Sequence, residues 1–122
     1  MIQRVNNYGA FTLLNNEITV NVAMTISISF KVAADCAVGV ANSVVKSYLE
    51  VSFAGGVVYS IIDGSNIFTY HKATNFGCGS ASSTHIVPVF VGSKIRVRTL
   101  RNTGADTMKT LASGCNIVII EI

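Results

Sequence analysis

Residues 25–32 read Thr25-Ile26-Ser27-Ile28-Ser29-Phe30-Lys31-Val32, an unbroken alternation of polar and apolar side chains. On an extended chain successive side chains point to opposite faces. Ile26, Ile28, Phe30 and Val32 therefore share one face, and Thr25, Ser27, Ser29 and Lys31 share the other. This is the pattern of a strand half buried against a core. The same period of two returns at 48–53, where Leu49, Val51 and Phe53 oppose Tyr48, Glu50 and Ser52. It returns again at 94–99, where Ile95 and Val97 oppose Lys94, Arg96 and Arg98.

Turn chemistry fills the intervals between these strands. Gly55-Gly56 predicts a hairpin turn into a strand over 57–62, and Asp63-Gly64-Ser65-Asn66 a turn into a strand over 67–70. Residues 73–84 contain Gly77-Cys78-Gly79-Ser80-Ala81-Ser82-Ser83, too small and polar to pack, and read as an exposed loop. A strand over 85–91 follows, and Pro88 within it removes one ladder donor and marks an edge strand or a bulge. Asn102-Thr103-Gly104-Ala105-Asp106 reads as a turn before the last strand, 116–122, in which both faces of Ile117-Val118-Ile119-Ile120-Glu121-Ile122 are apolar. A strand apolar on both faces needs a cover on each side, and in a small sandwich a symmetric copy of the chain supplies the second. Regularly spaced short strands, with hardly a helical period among them, predict an all-β antiparallel jelly-roll sandwich.

Composition narrows the class further. The 122 residues suit one domain, 1–122, with one continuous core. Half are apolar and 12% are charged, against roughly 25% charged in an average soluble domain, so part of the apolar surface is expected in subunit contacts. Apolar runs fall short of the ~18 residues a membrane helix requires, so no membrane insertion is expected. Residues 1–7 contain no apolar stretch of the kind a secretory leader carries. Nine basic residues against six acidic leave a net charge of +3, too little for a dedicated nucleic-acid binder. Cys36, Cys78 and Cys115 cannot all pair within one chain, and their spacing matches no zinc motif, so free thiols, no metal and no cofactor are expected.

The chain resembles the tumour-necrosis-factor-like jelly rolls, which include complement globular heads, bacterial spore-surface collagen-like proteins and some phage fibre tips. The resemblance rests on Asn16-Glu17-Ile18-Thr19-Val20 leading into 25–30, which looks like the family's early strand pair. It rests also on Val91-Gly92-Ser93-Lys94-Ile95-Arg96-Val97, similar to its aliphatic-Gly-Asp turn and strand, and on the apolar closing strand. Ser93 stands where the family usually has Asp, and Ala23-Met24 where it often has Gly-Tyr. What the resemblance implies is a homotrimer with the terminal strand near the three-fold axis and binding done by the outer surface. On that implication Ile117, Ile119, Ile120 and Ile122 are expected at the trimer interface.

Candidate chemistry is sparse. Lys94, Arg96 and Arg98 project from one strand face with Arg101 beside them, a candidate surface for an acidic glycan. A solvated strand face, or an inter-subunit salt bridge to Glu121 or Glu50, is the plainer reading of the same charges. Tyr48, Tyr59 and Tyr70 offer rings on which a sugar can stack or which cover the core. His71 and His85 are the two imidazoles and read as surface or strand-end residues, since no nucleophile motif accompanies them. Cys78 has no basic neighbour to activate it. Asp63 and Asp106 lie in turns, and the other carboxylates are scattered. No catalytic set is therefore assigned. The expected function is a trimeric head that binds a host-surface glycan or protein on a virion or a cell or spore surface, after assembly in a reducing cytoplasm. The alternatives are a purely structural or capsid-decorating jelly roll and, third, a small glycan-active enzyme, which would need two carboxylates about 5–10 Å apart in a cleft.

Overall fold

The computed structural model describes residues 9–36, 42–71, 78–104 and 108–122. Among them run ten strands: β1 (Phe11–Leu14), β2 (Glu17–Val20), β3 (Met24–Cys36), β4 (Ser43–Ser52), β5 (Ser60–Ile61), β6 (Ile67–His71), β7 (Cys78–Val89), β8 (Lys94–Thr103), β9 (Met108–Thr110) and β10 (Asn116–Glu121). Every pairing is antiparallel. One sheet has the order β1-β2-β8-β4, with β5 and β6 end to end along the far edge of β4. The other has the order β10-β3-β7, with β9 extending the β10 edge of β3. Ile26, Ile28 and Phe30 of β3 pack in the core with Val20, Leu49, Val51 and Ile95 of the facing sheet, all fully buried. The alternation at 25–32 and 94–99 thus places the residues it predicts inside.

Two strands interrupted along an edge each have a side chain bridging the gap. Between β5 and β6 the Leu49 N–H of β4 has no ladder partner. The Ser65 hydroxyl, fully buried, accepts from it at 3.1 Å, while the Leu49 carbonyl takes the Ile62 N–H at 2.9 Å. Between β9 and β10 the Ala33 N–H of β3 donates to Cys115 Sγ at 3.4 Å, and the Ala33 carbonyl accepts the Leu111 N–H at 2.9 Å. Buried backbone groups must be paired, and these side chains do what the missing strand residues cannot.

The structure departs from the sequence reading at several points. The strand expected over 57–62 contracts to β5, with Val57 and Val58 exposed in the turn. Phe53 leaves the core for an edge-to-face contact with Phe90, ring centroids 6.1 Å apart. Residues 78–84 are the first half of β7 instead of a loop, paired with β3 from Asp35↔Cys78 to Ser29↔Thr84. Small residues suit this segment because a neighbour crosses it closely: a Cβ added at Gly79 would lie 3.4 Å from Thr69 Cβ. Residues 16–20 and 25–30, read as a strand pair, belong to different sheets. Two short strands, β1 and β9, went unread. Of the turn expected over 102–106, residues 102 and 103 end β8, Gly104 follows, and 105 and 106 lie outside the described residues. Pro88 sits on β7, an edge strand among the described residues.

Candidate functional site: the outer face of the six-stranded sheet

Strand parity brings Lys94, Arg96 and Arg98 to the outer face of the six-stranded sheet, and cross-strand register decides what each one meets. Arg96 lies opposite Glu50 of β4, and Thr19 of β2 opposite Lys94. The Arg96 Nε donates to Glu50 Oε2 at 2.6 Å, and its Nη1 lies 3.9 Å from Glu17 Oε2. The Tyr59 ring stacks on the guanidinium, with Cζ 3.5 Å from the ring centroid, and the Tyr59 hydroxyl donates to Glu17. Two carboxylates therefore neutralise Arg96 and an aromatic ring covers it. The salt bridge expected between subunits forms instead within the chain, from Arg96 to Glu50, while Glu121 pairs in the other sheet.

Glu17 and Glu50 are brought together on this face by the one guanidinium that both hold, with the Tyr59 ring stacked on it.

Lys94 directs Nζ to Thr19 Oγ1 at 3.3 Å, and its stem lies against Gly56, where a Cβ would meet its Cδ at 2.7 Å. Arg98 is exposed and faces Tyr48 across the β4–β8 ladder. In the next row Lys46 stands between Leu100 and Phe68, with Nζ 5.5 Å from the Tyr48 ring centroid. Phe68 and Tyr70 are 53% and 56% exposed. Arg101 does not join this face. Odd-numbered residues of β8 point to the other side, and Arg101 instead lines a cleft of about 330 Å3 with Val45, Thr99, Met108 and Lys109 at the end of the sandwich. The surface thus splits into a neutralised half around Arg96 and a cationic, aromatic half around Arg98 and Lys46. Sequence reasoning missed Lys46 and Phe68; the period of two carried back from Tyr48 puts Lys46 on its face, and the same period over 67–71 puts Phe68 beside Tyr70.

The outer face of the four-stranded sheet differs in chemistry. Three of its rows run Ile122–Thr25–Pro88, Ile120–Ser27–Ile86 and Val118–Ser29–Thr84 and carry no charge, and the next, Asn116–Lys31–Ser82, adds an exposed lysine. Ile86, Ile120 and Ile122 are 61–69% exposed. Of the four residues expected at a trimer contact, Ile120 and Ile122 stand on this face. Ile117 and Ile119 instead pack inward against the core, and Val118 takes the outward position between them.

The remaining candidates sit apart. His71 is buried at the end of β6, not on the surface, with a ring nitrogen 2.9 Å from Thr69 Oγ1. His85 is half buried on β7, 2.5 Å from Ser83 Oγ and beside the Phe30 ring. Asp63 occupies the predicted turn, Cys115 is a free thiol, and Asp106 and the side chains of Cys36 and Cys78 lie outside the described residues. Among the described residues no three His, Cys, Asp or Glu side chains gather as metal ligands, and no helix is long and apolar enough to cross a membrane.

Two antiparallel sheets in this order, with an apolar strand closing the chain at the edge of the second sheet, define a tumour-necrosis-factor-like jelly roll. Solved structures share the fold. Eiger TNF from S. frugiperda matches with a TM-score of 0.69 at 12% identity, over 92% of this chain and 68% of that one. Murine APRIL matches with a TM-score of 0.63 at 11% identity, over 99% of this chain and 78% of that one. No protein-family model and no curated protein matches in sequence.

Proposed function

We propose that the chain is the binding head of a larger surface assembly. It associates as a homotrimer through the outer face of the four-stranded sheet and meets a host-surface glycan or protein with the six-stranded sheet. The observation that carries this reading is the cluster of exposed aliphatic side chains, Ile86, Val118, Ile120 and Ile122, on the outer face of β10, β3 and β7, with Lys31 in the row beyond them. Apolar area of this kind is favoured to leave water, at about 25 cal/mol per Å2, and a two-sheet sandwich has no third layer to cover it. A symmetric copy supplies that layer, in keeping with the trimer that a tumour-necrosis-factor-like resemblance implies. Burying this face leaves the six-stranded sheet outermost and free for a partner. Binding without catalysis is supported by the way Arg96 occupies the space between Glu17 and Glu50. The reading places the head on a virion or a cell or spore surface, folded beforehand in a reducing cytoplasm, as a half-buried free thiol at Cys115 suits.

Light scattering tests the assembly. The expected mass is about three times that of the 12.9 kDa chain. A monomer at all concentrations overturns the reading.

A further inference from the structure

We propose that the half of the six-stranded face around Arg98 binds an anionic sugar, its carboxylate or sulfate held by Arg98 and Lys46 and its ring stacked on Phe68. The inference deepens the binding-head reading and rests on it. Cations on this sheet are not equivalent. Arg96 is spent on Glu17 and Glu50 and covered by Tyr59. Arg98 is exposed and, among the described residues, pairs with no carboxylate, and the contact recorded for Lys46 is the Tyr48 ring at 5.5 Å. A guanidinium left exposed beside an aromatic row offers two parallel donors to a planar carboxylate or to a sulfate.

The apolar component fixes the class. Phe68 and Tyr70 are both more than half exposed on β6, two residues apart and so about 7 Å apart along one face. Large rings so exposed, beside two cations and on a flat pleated surface, match a ligand with alternating apolar and charged sides. Sugars have that character, since a ring presents C–H groups on one side and carries its acid at the rim. Two cations are too few for the multiple phosphate contacts of a nucleic acid. A peptide captured by strand addition would use a sheet edge, whereas this patch lies on a face.

The test uses immobilised sialylated and sulfated oligosaccharides with a neutral oligosaccharide of the same length as comparator. The wild-type head is expected to bind one or both anionic probes at least tenfold more tightly than the neutral one, with binding that weakens as salt rises. Arg98→Ala is expected to lower the binding about tenfold or more, and Arg98→Lys to restore part of it, because an ammonium keeps the charge and loses the fork. Phe68→Ala is expected to weaken binding while leaving the salt dependence in place. Which anionic probe is preferred separates carboxylate from sulfate recognition. Equal binding of neutral and anionic sugars, no sugar binding, or binding unchanged in Arg98→Ala overturns the assignment. Light scattering on the same variants keeps the two readings apart. Intact oligomers without anionic-sugar binding sink this site and leave the assembled head standing, whereas loss of the oligomer in Arg98→Ala places Arg98 in a subunit contact and sinks the site for that reason.

Discussion

Ser65 and Glu50 show how single side chains hold this sandwich together. The Ser65 hydroxyl is the partner of a buried Leu49 N–H, and removing it leaves that donor unpaired, which costs about 1–3 kcal/mol. Ser65→Ala is expected to lower unfolding free energy by about that amount in urea titrations, with no change in the m-value. A loss below a few tenths of a kcal/mol would mean that the loop repacks. Glu50 is buried to 8% exposure beside an Arg96 that Glu17 also holds. Glu50→Gln keeps the shape and removes the charge. It is expected to cost about 1–2 kcal/mol, less than breaking a fully buried pair, because Arg96 keeps a second carboxylate and some solvent. Parallel urea titrations of the two proteins measure it. At Gly92 the turn from Phe90 to Ser93 closes with Ser93 N–H to Phe90 O at 2.9 Å and φ of +87° at the glycine. The Ser93 hydroxyl accepts the Phe90 N–H at 3.0 Å, so a serine suffices at the position where the family resemblance has an aspartate.

At the scale of elements, β10 presents two different faces. Its alternation sends Ile117 and Ile119 into the core and Val118, Ile120 and Ile122 outward, so the two sets respond differently to a charge. Ile120→Lys is expected to dissociate the oligomer while leaving monomer stability within about 0.5 kcal/mol, since the lysine is solvated once the partner leaves. Ile119→Lys is expected to cost about 2 kcal/mol or more of stability, because it charges a position packed against the core. Light scattering and denaturant melts on both variants check this, and dissociation by Ile119→Lys without loss of stability would reverse the facing of the strand. The β1–β2 hairpin was legible at this scale and went unread. Asn15-Asn16 between apolar strands, with φ of 53° and 61°, is a two-residue turn of the primed kind that matches strand twist. The strand over 78–84 was not legible, because its small residues gain their place from twelve residues of pairing with β3 and from Thr69 packed above Gly79.

For the whole molecule, composition and architecture agree. Only 12% of the chain is charged, and exposed aliphatic side chains gather on the second sheet at Ile86, Val118, Ile120 and Ile122, the face proposed above for self-association. Because a trimer binds its folded protomers and not their unfolded chains, its stability depends on concentration. The melting temperature is expected to rise as protein concentration is raised over two decades, and to stop depending on concentration in Ile120→Lys. A melting temperature independent of concentration in the parent protein would detach the apolar face from self-association. In the proposed assembly the six-stranded face stays outermost, with its charge concentrated away from the neutralised Arg96.

Local order alone determined the inward sets Ile26, Ile28, Phe30 and Ile95, Val97, the shared face of Lys94, Arg96 and Arg98 and the doubly apolar last strand. Each follows from the period of two, which is a property of neighbours in the chain. Tertiary structure alone decided that Arg96 meets Glu17, Glu50 and Tyr59 while Arg98 meets no carboxylate among the described residues, that Arg101 faces a cleft, and that Ser65 and Cys115 close gaps in the ladders. Those outcomes depend on register between strands far apart in the chain. Sliding one strand by two residues preserves every inward and outward assignment and changes every partner.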